Sequence, residues 1–384
     1  METYTKEQRN TLDCLGFGEY HPILEEIGKF AAREIAPGAE ERDAKKTFPR
    51  GLIARIAEQG VQAMSFGSEF GGLEIPCPVY MAALEIIAKC CAGTSLSVGI
   101  HGTVCYGIEA YGSPEQKKRY LPDMLAGKKL ACFSLTEPGS GSDAGSMKTK
   151  AVLKDGRWVL NGTKTFATNA GEADVYFLFA MTDQGPSAFL IDRDTPGMEF
   201  GKDIQKLGVR CSVTREIILS DCTLPKDAIL GEPGKGFQYG KLMLNSGRIS
   251  IAVQSVGIAQ AAYDKALRYS KERKQFGQHL AEFEAIQFKL AEMKALISTS
   301  RAVTYQAAML KHLGKPFSSE AAEAKLFASE AALRVCNEAI QIHGGYGYTD
   351  EYDVHRHWRD ARLMTIGEGT SEILKLVISG FALK

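Results

Sequence analysis

The apolar residues of this chain change their spacing twice, and that double change restricts the fold more than any other feature. From Pro22 to about Ala126 they recur at helical intervals, as in Ile23, Ile27, Phe30, Ala31 and Ile35, then Leu52, Ile53 and Ile56, and later Met81, Leu84, Ile87 and Ala88. Near Leu130 the spacing becomes alternating, and 131–135, 149–153, 158–160, 175–180, 188–191 and 216–219 read as strands. Asp155 and Gly156 between two of these runs form a hairpin-turn pair. Past Gly236 helical spacing returns over 237–272, 283–312, 318–343 and 370–381. One element cannot serve both periods, so the chain reads as an α+β multi-domain protein. An all-α domain (1–129) precedes a middle β domain (130–234), sheet- or barrel-like, and a C-terminal bundle of four helices joined by short turns (235–384).

Composition removes several function classes. The 384 residues suffice for two or three domains, and 45% hydrophobic with 24% charged residues is an ordinary globular balance. Forty-six basic residues offset 46 acidic ones, so no overall field draws the chain to nucleic acid or anionic lipid. No uninterrupted apolar run is long enough to span a bilayer, and Met1 to Glu7 lack the apolar core of a secretion signal. An intracellular protein is expected: cytoplasmic in a bacterium, or a mature mitochondrial-matrix chain in a eukaryote. Nine cysteines without a Cys-x-x-Cys spacing read as reduced thiols, and the seven histidines form no metal motif. His101 lies in a small, apolar run and reads as a satisfied core histidine.

Four stretches carry residues suited to chemistry. Met364 to Leu374 places Glu368 between Gly367 and Gly369, just before a helix start capped by Thr370 or Ser371. Flanking glycines clear side chains from around the carboxylate, although a loop with a helix cap reads the same way. Leu135 to Ala144 imitates a dinucleotide fingerprint, but a strand pattern rather than a helix follows it. Its glycines and hydroxyls can still donate to a polar ring edge or a phosphate, or form a plain surface loop. In 162–171, Phe166 and Thr168 stand two residues apart, where a strand turns both to one side. Arg273 to Gly277 and Gln341 to Tyr348 each end a long helix with a glycine turn, suited to a pyrophosphate or to a solvated helix end.

Taken in this order, these stretches resemble the acyl-CoA dehydrogenase family of flavoproteins, from about Pro22 to the C-terminus. The most specific matches are 136–143, 273–277, 341–345, 359–361 and 368–370. The resemblance implies an acyl-CoA dehydrogenase-like fold, a homotetramer with FAD partly at subunit interfaces, and Glu368 as the base that removes the α proton of an acyl-CoA. It implies that Phe133, Leu135, Thr136, Gly141 and Ser142, with Phe166, Ala167 and Thr168, line the flavin and ribityl chain. Arg273, Gln275, Phe276 and Phe283, with Gln341, Gly344 and Gly345, would hold the ADP part of a neighbour's FAD, and Thr370 and Glu372 would close over it. Ser142, Asn245, Arg248, Gly367 and Gly369 fall on the substrate side. Electrons would pass to an electron-transferring flavoprotein.

The sequence departs from that family at four of these places. Phe166 replaces a usual tryptophan, Glu284 a glutamine, Asn245 a frequent aspartate and Gly367 the tyrosine of many straight-chain members. Gly247 stands where some relatives carry the base instead. Gly367 suggests room for acyl groups branched or cyclic near the thioester, unless it serves only the loop backbone or a residue such as His101 or Tyr346 folds in. Residues 92–95 lack the arginine that glutaryl-specific relatives use. The rival readings are an acyl-CoA oxidase of the same fold, an NAD-linked enzyme and a non-catalytic helical scaffold.

Overall fold

The structure, a computed structural model, describes residues 2–383, so the outermost residues of the first and last expected domains lie outside it. Seven α-helices open the chain: α1 (Lys6–Cys14), α2 (His21–Phe30), α3 (Ala39–Lys45), α4 (Arg50–Glu58), α5 (Cys77–Cys90), α6 (Ala92–Tyr111) and α7 (Pro114–Leu125). All 14 residues of α5 are buried, which explains why its apolar pattern runs around the whole helix instead of marking one stripe.

Strands follow: β1 (Ala131–Ser134), β2 (Lys150–Lys154), β3 (Arg157–Thr168), β4 (Val175–Thr182), β5 (Gly185–Asp192), β6 (Met198–Phe200), β7 (Thr214–Pro225) and β8 (Ile229–Leu230). They form a mixed eight-stranded sheet in the order β6-β7-β3-β2-β4-β5-β8, with β1 parallel to β4. The β2–β3 hairpin turns on Asp155 and Gly156, whose φ values of 50° and 76° are the left-handed pair that a two-residue hairpin requires. Strands β6 and β8, of three and two residues, are too short to show alternation and escape a reading by period.

The last part holds α8 (Gly236–Glu272), a small hairpin of β9 (Lys274–Gln275) and β10 (Gln278–His279), then α9 (Glu284–His312), α10 (Ser318–His343), α11 (Val354–Met364) and α12 (Ser371–Ala382). Helix α8 is the hub, packing against α5, α6, α9, α10 and α11. The four expected helices are present as α8, α9, α10 and α12, and the structure adds a fifth that the spacing does not reveal. Between α10 and α12 lies α11, which packs on both α10 and α8. Its inward face mixes Val354, Ala361 and Met364 with the buried charges Arg356 and Asp360, and so hides the helical stripe. Asp360 accepts the Val209 N–H at 2.6 Å, while Arg359 donates to Asp43 at 2.6 Å and to the Leu207 carbonyl at 3.0 Å. The motif Arg359 to Ala361 thus ties three parts of the chain together.

One continuous apolar core runs from the first helices into α8, α9, α10 and α11. A buried ion pair crosses it: Arg301 of α9 donates to Glu85 of α5 at 2.8 and 3.1 Å. Losing either partner would strand the other in an apolar interior, so the pair fixes how the two helical parts meet. Among the described residues no helix is long and apolar enough to cross a membrane.

Candidate active site

Helix α11 stops at Met364, and a short loop carries the chain to α12. The Gly367 N–H donates to Leu363 O at 3.0 Å, the Ser371 N–H returns to Thr365 O at 3.1 Å, and Thr370 caps α12 by accepting from the Ile373 N–H. Between these anchors Glu368 has φ +55° and Gly369 φ +102°, both left-handed. Gly367 is not left-handed, which removes the reading that it serves only a special backbone angle. A Cβ at Gly367 would meet only Leu363 O, at 3.8 Å, so open space lies beside Glu368. A left-handed glutamate stores of order 1–3 kcal/mol of strain, and such strain persists only where surrounding contacts hold it in place.

The Glu368 carboxyl lies over Gly247 of α8. A Cβ at position 247 would sit 2.9 Å from both Cδ and Oε2, so a larger residue there would force the carboxyl out of this position. The residue is half-buried, but its Oε2 is sealed from solvent and has no hydrogen-bond partner. Burial raises the Glu368 pKa to about 7, against the opposing pull of Arg248 and Lys325. The Glu368 N–H also has no acceptor among the described residues.

Two cations hold this loop through its carbonyls. Arg248 of α8 donates from Nε to Glu368 O at 3.3 Å and from Nη1 to Asn245 Oδ1 at 2.8 Å, while Asn245 donates on to Ser318 at 2.7 Å. Lys325 of α10 donates to Gly369 O at 2.7 Å. Sequence reasoning missed Lys325. The available signal was a lone lysine among Ala321, Ala322, Ala324 and Ala328, on what reads as the inward face of a helix.

Phe133 of β1 packs half-buried on Phe177 and Phe179, and the loop beyond it hangs from Glu137. The Glu137 carboxylate accepts from the N–H groups of Lys148 and Thr149, at 2.6 and 3.0 Å, and from Lys164 at 2.8 Å. Burial alone would raise its pKa, but these donors hold it down at about 2. The loop passes through one short turn, Ala144–Ser146, into β2, and no helix follows the glycines, which dismisses the dinucleotide look-alike. Leu135 and Thr136 are half-buried and Gly141 and Ser142 exposed; a Cβ at Gly139 or Gly141 would touch nothing.

The Thr165 N–H bonds Thr136 O at 2.9 Å and joins this loop to the Phe166 segment. Strict alternation fails there, because β3 shifts register between Lys164 and Ala167. Phe166 sits on that bulge at φ +53° with 65% of its surface exposed, while Ala167 is buried and Thr168 half-buried.

A separate groove of about 530 Å³ brings together Arg273, Gln275, Gln341, Gly344 and Gly345 with Tyr269 and Tyr346. Among the described residues the Arg273 guanidinium has no ion-pair or hydrogen-bond partner; it lies 5.8 Å from the centre of the Tyr346 ring. Phe276, at the tip of the β9–β10 turn, is 94% exposed and meets Phe283 edge-on at 6.2 Å. Glu284 is exposed at the start of α9, and Glu372 in the first turn of α12. His101 is a satisfied core residue: it accepts the Ala131 N–H at 3.1 Å through Nδ1, which leaves Nε2 to donate to Met124 O at 3.1 Å. Neither His101 nor Tyr346 comes within 4 Å of a Cβ at Gly367.

The sequence matches the acyl-CoA dehydrogenase N-terminal domain over residues 19–128, the middle domain over 132–222 and the C-terminal domain over 234–383. Over 368 residues it is 45% identical to the mitochondrial short-chain specific acyl-CoA dehydrogenase of Homo sapiens, covering 94% of this chain and 89% of that one. Its fold matches butyryl-CoA dehydrogenase from Megasphaera elsdenii with a TM-score of 0.93 at 39% identity, covering 99% of each chain. A chain in the structure of the electron transferring flavoprotein of Acidaminococcus fermentans matches with a TM-score of 0.94 at 40% identity, covering 99% of this chain and 98% of that one. Fold and relatives together define an FAD-dependent oxidoreductase that acts on acyl-CoA thioesters. The chain belongs to the acyl-CoA dehydrogenase family.

The residues present suit FAD. Phe166 offers a bare ring beside a loop with free space at Gly139 and Gly141, and Arg273 is an unpaired cation in an open groove. The contact between Gly247 and Glu368 makes a direct prediction. Gly247→Ala should push the carboxyl aside and slow flavin reduction by about 10²-fold, the usual cost of a 1 Å misplacement, with FAD content unchanged. Rapid-mixing absorbance of the flavin reads this, and an unaltered rate would show that the carboxyl has room elsewhere.

Proposed function

We propose that this chain oxidises the Cα–Cβ bond of a short acyl-CoA thioester to the trans-2-enoyl product, with Glu368 as the base for the α proton. The observation that carries the assignment is the sealed, partnerless Oε2 of Glu368 on a left-handed residue. A carboxylate in water is too weak a base for a thioester α proton, and exclusion of water brings the two closer in basicity. The enolate that develops needs donors, and the free Glu368 N–H stands next to the base. Bound FAD supplies the acceptor for the β hydrogen, which leaves as hydride. Phe133 to Ser142 and Phe166 to Thr168 would face the flavin, and Asn245 and Arg248 the substrate side. Gly367 leaves space for acyl groups branched or cyclic near the thioester. A short acyl group is supported by the human and Megasphaera relatives, and electron-transferring flavoprotein as acceptor by the Acidaminococcus structure.

The same reading divides the chain at 129/130 and 234/235 and makes it a homotetramer. Support comes from α10, along which Lys325 beside the base loop and Gln341 in the arginine groove lie 16 residues apart, roughly 24 Å at helical rise. A chain whose groove is this far from its own base is suited to hold the ADP end of a neighbour's FAD, and the bare Phe276 fits an interface. The chain would work in a bacterial cytoplasm or a mitochondrial matrix; the human relative is mitochondrial by its name.

Four outcomes follow from this reading. Glu368→Gln should keep acyl-CoA binding but lose flavin reduction by roughly 10²- to 10⁴-fold, the contribution of a positioned base. In the parent enzyme kcat/KM should rise with pH through about 7 as Glu368 loses its proton, and the variant should lack that limb. A variant that bleaches its flavin at the parent rate would place the base elsewhere. Arg273→Ala should release FAD and weaken the tetramer together, as read by flavin absorbance and sedimentation; full FAD occupancy would count against the groove. Gly367→Tyr should cost branched or cyclic thioesters about 1–3 kcal/mol in kcat/KM and spare straight short chains. Equal losses for every thioester would indicate loop damage instead.

A further inference from the structure

The ammonium of Lys325 is fully buried, yet among the described residues no carboxylate comes within ion-pair distance of it. A buried cation that lacks a partner costs several kcal/mol, so its placement needs a compensating role. Its Nζ donates to Gly369 O at 2.7 Å, and from the opposite helix Arg248 Nε donates to Glu368 O at 3.3 Å. Two successive carbonyls are therefore held by two cations, one from α10 and one from α8. These carbonyls belong to the two left-handed residues of the loop, Glu368 and Gly369. No helix or sheet bond holds this pair in its strained form, and the nearest backbone anchors are the Gly367 and Ser371 N–H groups on either side.

We infer that Lys325 is a positioning residue for Glu368: its ammonium fixes the Gly369 carbonyl and so maintains the left-handed turn that aims the Glu368 carboxyl over Gly247. This rests on the reading of Glu368 as the base. The charge of Lys325 has a second effect, because it favours the ionised form of that carboxyl, as does Arg248. The charged groups around Lys325 are Glu368 of the loop, Arg248 of α8, Glu330 of α10 itself and Glu372 of α12. Glu330 is engaged by the Ser371 hydroxyl at 2.5 Å, and so braces the far side of the same loop. Burial brings the Lys325 pKa down to about 8, which leaves it charged at neutral pH.

The test uses the FAD-loaded enzyme with Lys325→Met, which removes both charge and donor, Lys325→Gln, which removes the charge alone, and Lys325→Arg, which keeps it. Hydrogen–deuterium exchange over residues 364–372 is read in the resting protein, and flavin reduction is read against pH. In the Met variant the loop should exchange at least about tenfold faster, with the rest of α10 and α12 unchanged. In both the Met and Gln variants the rising pH limb should move up by about one unit, as loss of a neighbouring opposite charge dictates. From this shift flavin reduction at pH 7 should fall about fivefold, and the deficit should shrink at pH 9. The Arg variant should restore the limb. A loss that is uniform at every pH, or a loop that exchanges at the parent rate, overturns the inference. Should the Met variant fail to fold, the pH limb of the Gln variant decides the matter alone. The exchange readout does not depend on which residue is the base, so its failure is distinct from an active Glu368→Gln enzyme.

Discussion

Removal of water from around one carboxyl group is the constraint on which the rest of this structure depends. A glutamate in solvent is ionised and too weakly basic to abstract a thioester proton, so a chain that uses Glu368 as its base, as proposed, must bury it without neutralising it permanently. Three helices contribute to that burial. Helix α8 supplies the gap at Gly247 and the cation of Arg248, α10 supplies Lys325, and α11 delivers the loop itself. Arg359 and Asp360 hold α11 to the first domain and to the loop before β7, and the ion pair between Arg301 and Glu85 ties the adjacent α9 to α5. The long core shared by both helical parts is the base on which these helices are set.

Two glutamates show how environment sets function. Glu137 and Glu368 both lie near a lysine, yet one carboxyl stands at about 2 and the other at about 7. Glu137 accepts two backbone N–H groups and the Lys164 ammonium directly, so its charged form is fully solvated by protein. Glu368 has its lysine one step removed, on the neighbouring carbonyl, and its Oε2 accepts nothing. The first carboxylate is a fastener for a loop. The second is left wanting a proton, which is the property a base needs.

Much of this was legible in the sequence because it is local. The spans of α8, α9 and α10, the hairpin at Asp155 and Gly156 and the Thr370 cap follow from period, turn chemistry and capping within a few residues. What escaped depends on partners distant in the chain. Helix α11 hid because its inward Arg356 and Asp360 are charged, and they are buried only because Asp353 and the Val209 N–H answer them. Lys325 drew no reading from the sequence, because its partner, the Gly369 carbonyl, lies 44 positions on and only the fold sets the two together. Phe166 and Thr168 were read by strand alternation, and a bulge that no local residue announces broke it.

The length of α10 carries a consequence for heredity as well as for chemistry. If the groove at Gln341 serves a neighbour while the loop by Lys325 serves its own chain, each polypeptide contributes unlike halves to two centres. A chain damaged at Glu368 would still lend a sound groove to its neighbour, and a chain damaged at Gln341 would still own a sound base. Two defective alleles, one of each kind, could then assemble a mixed oligomer in which some centres are whole, although neither allele alone yields any.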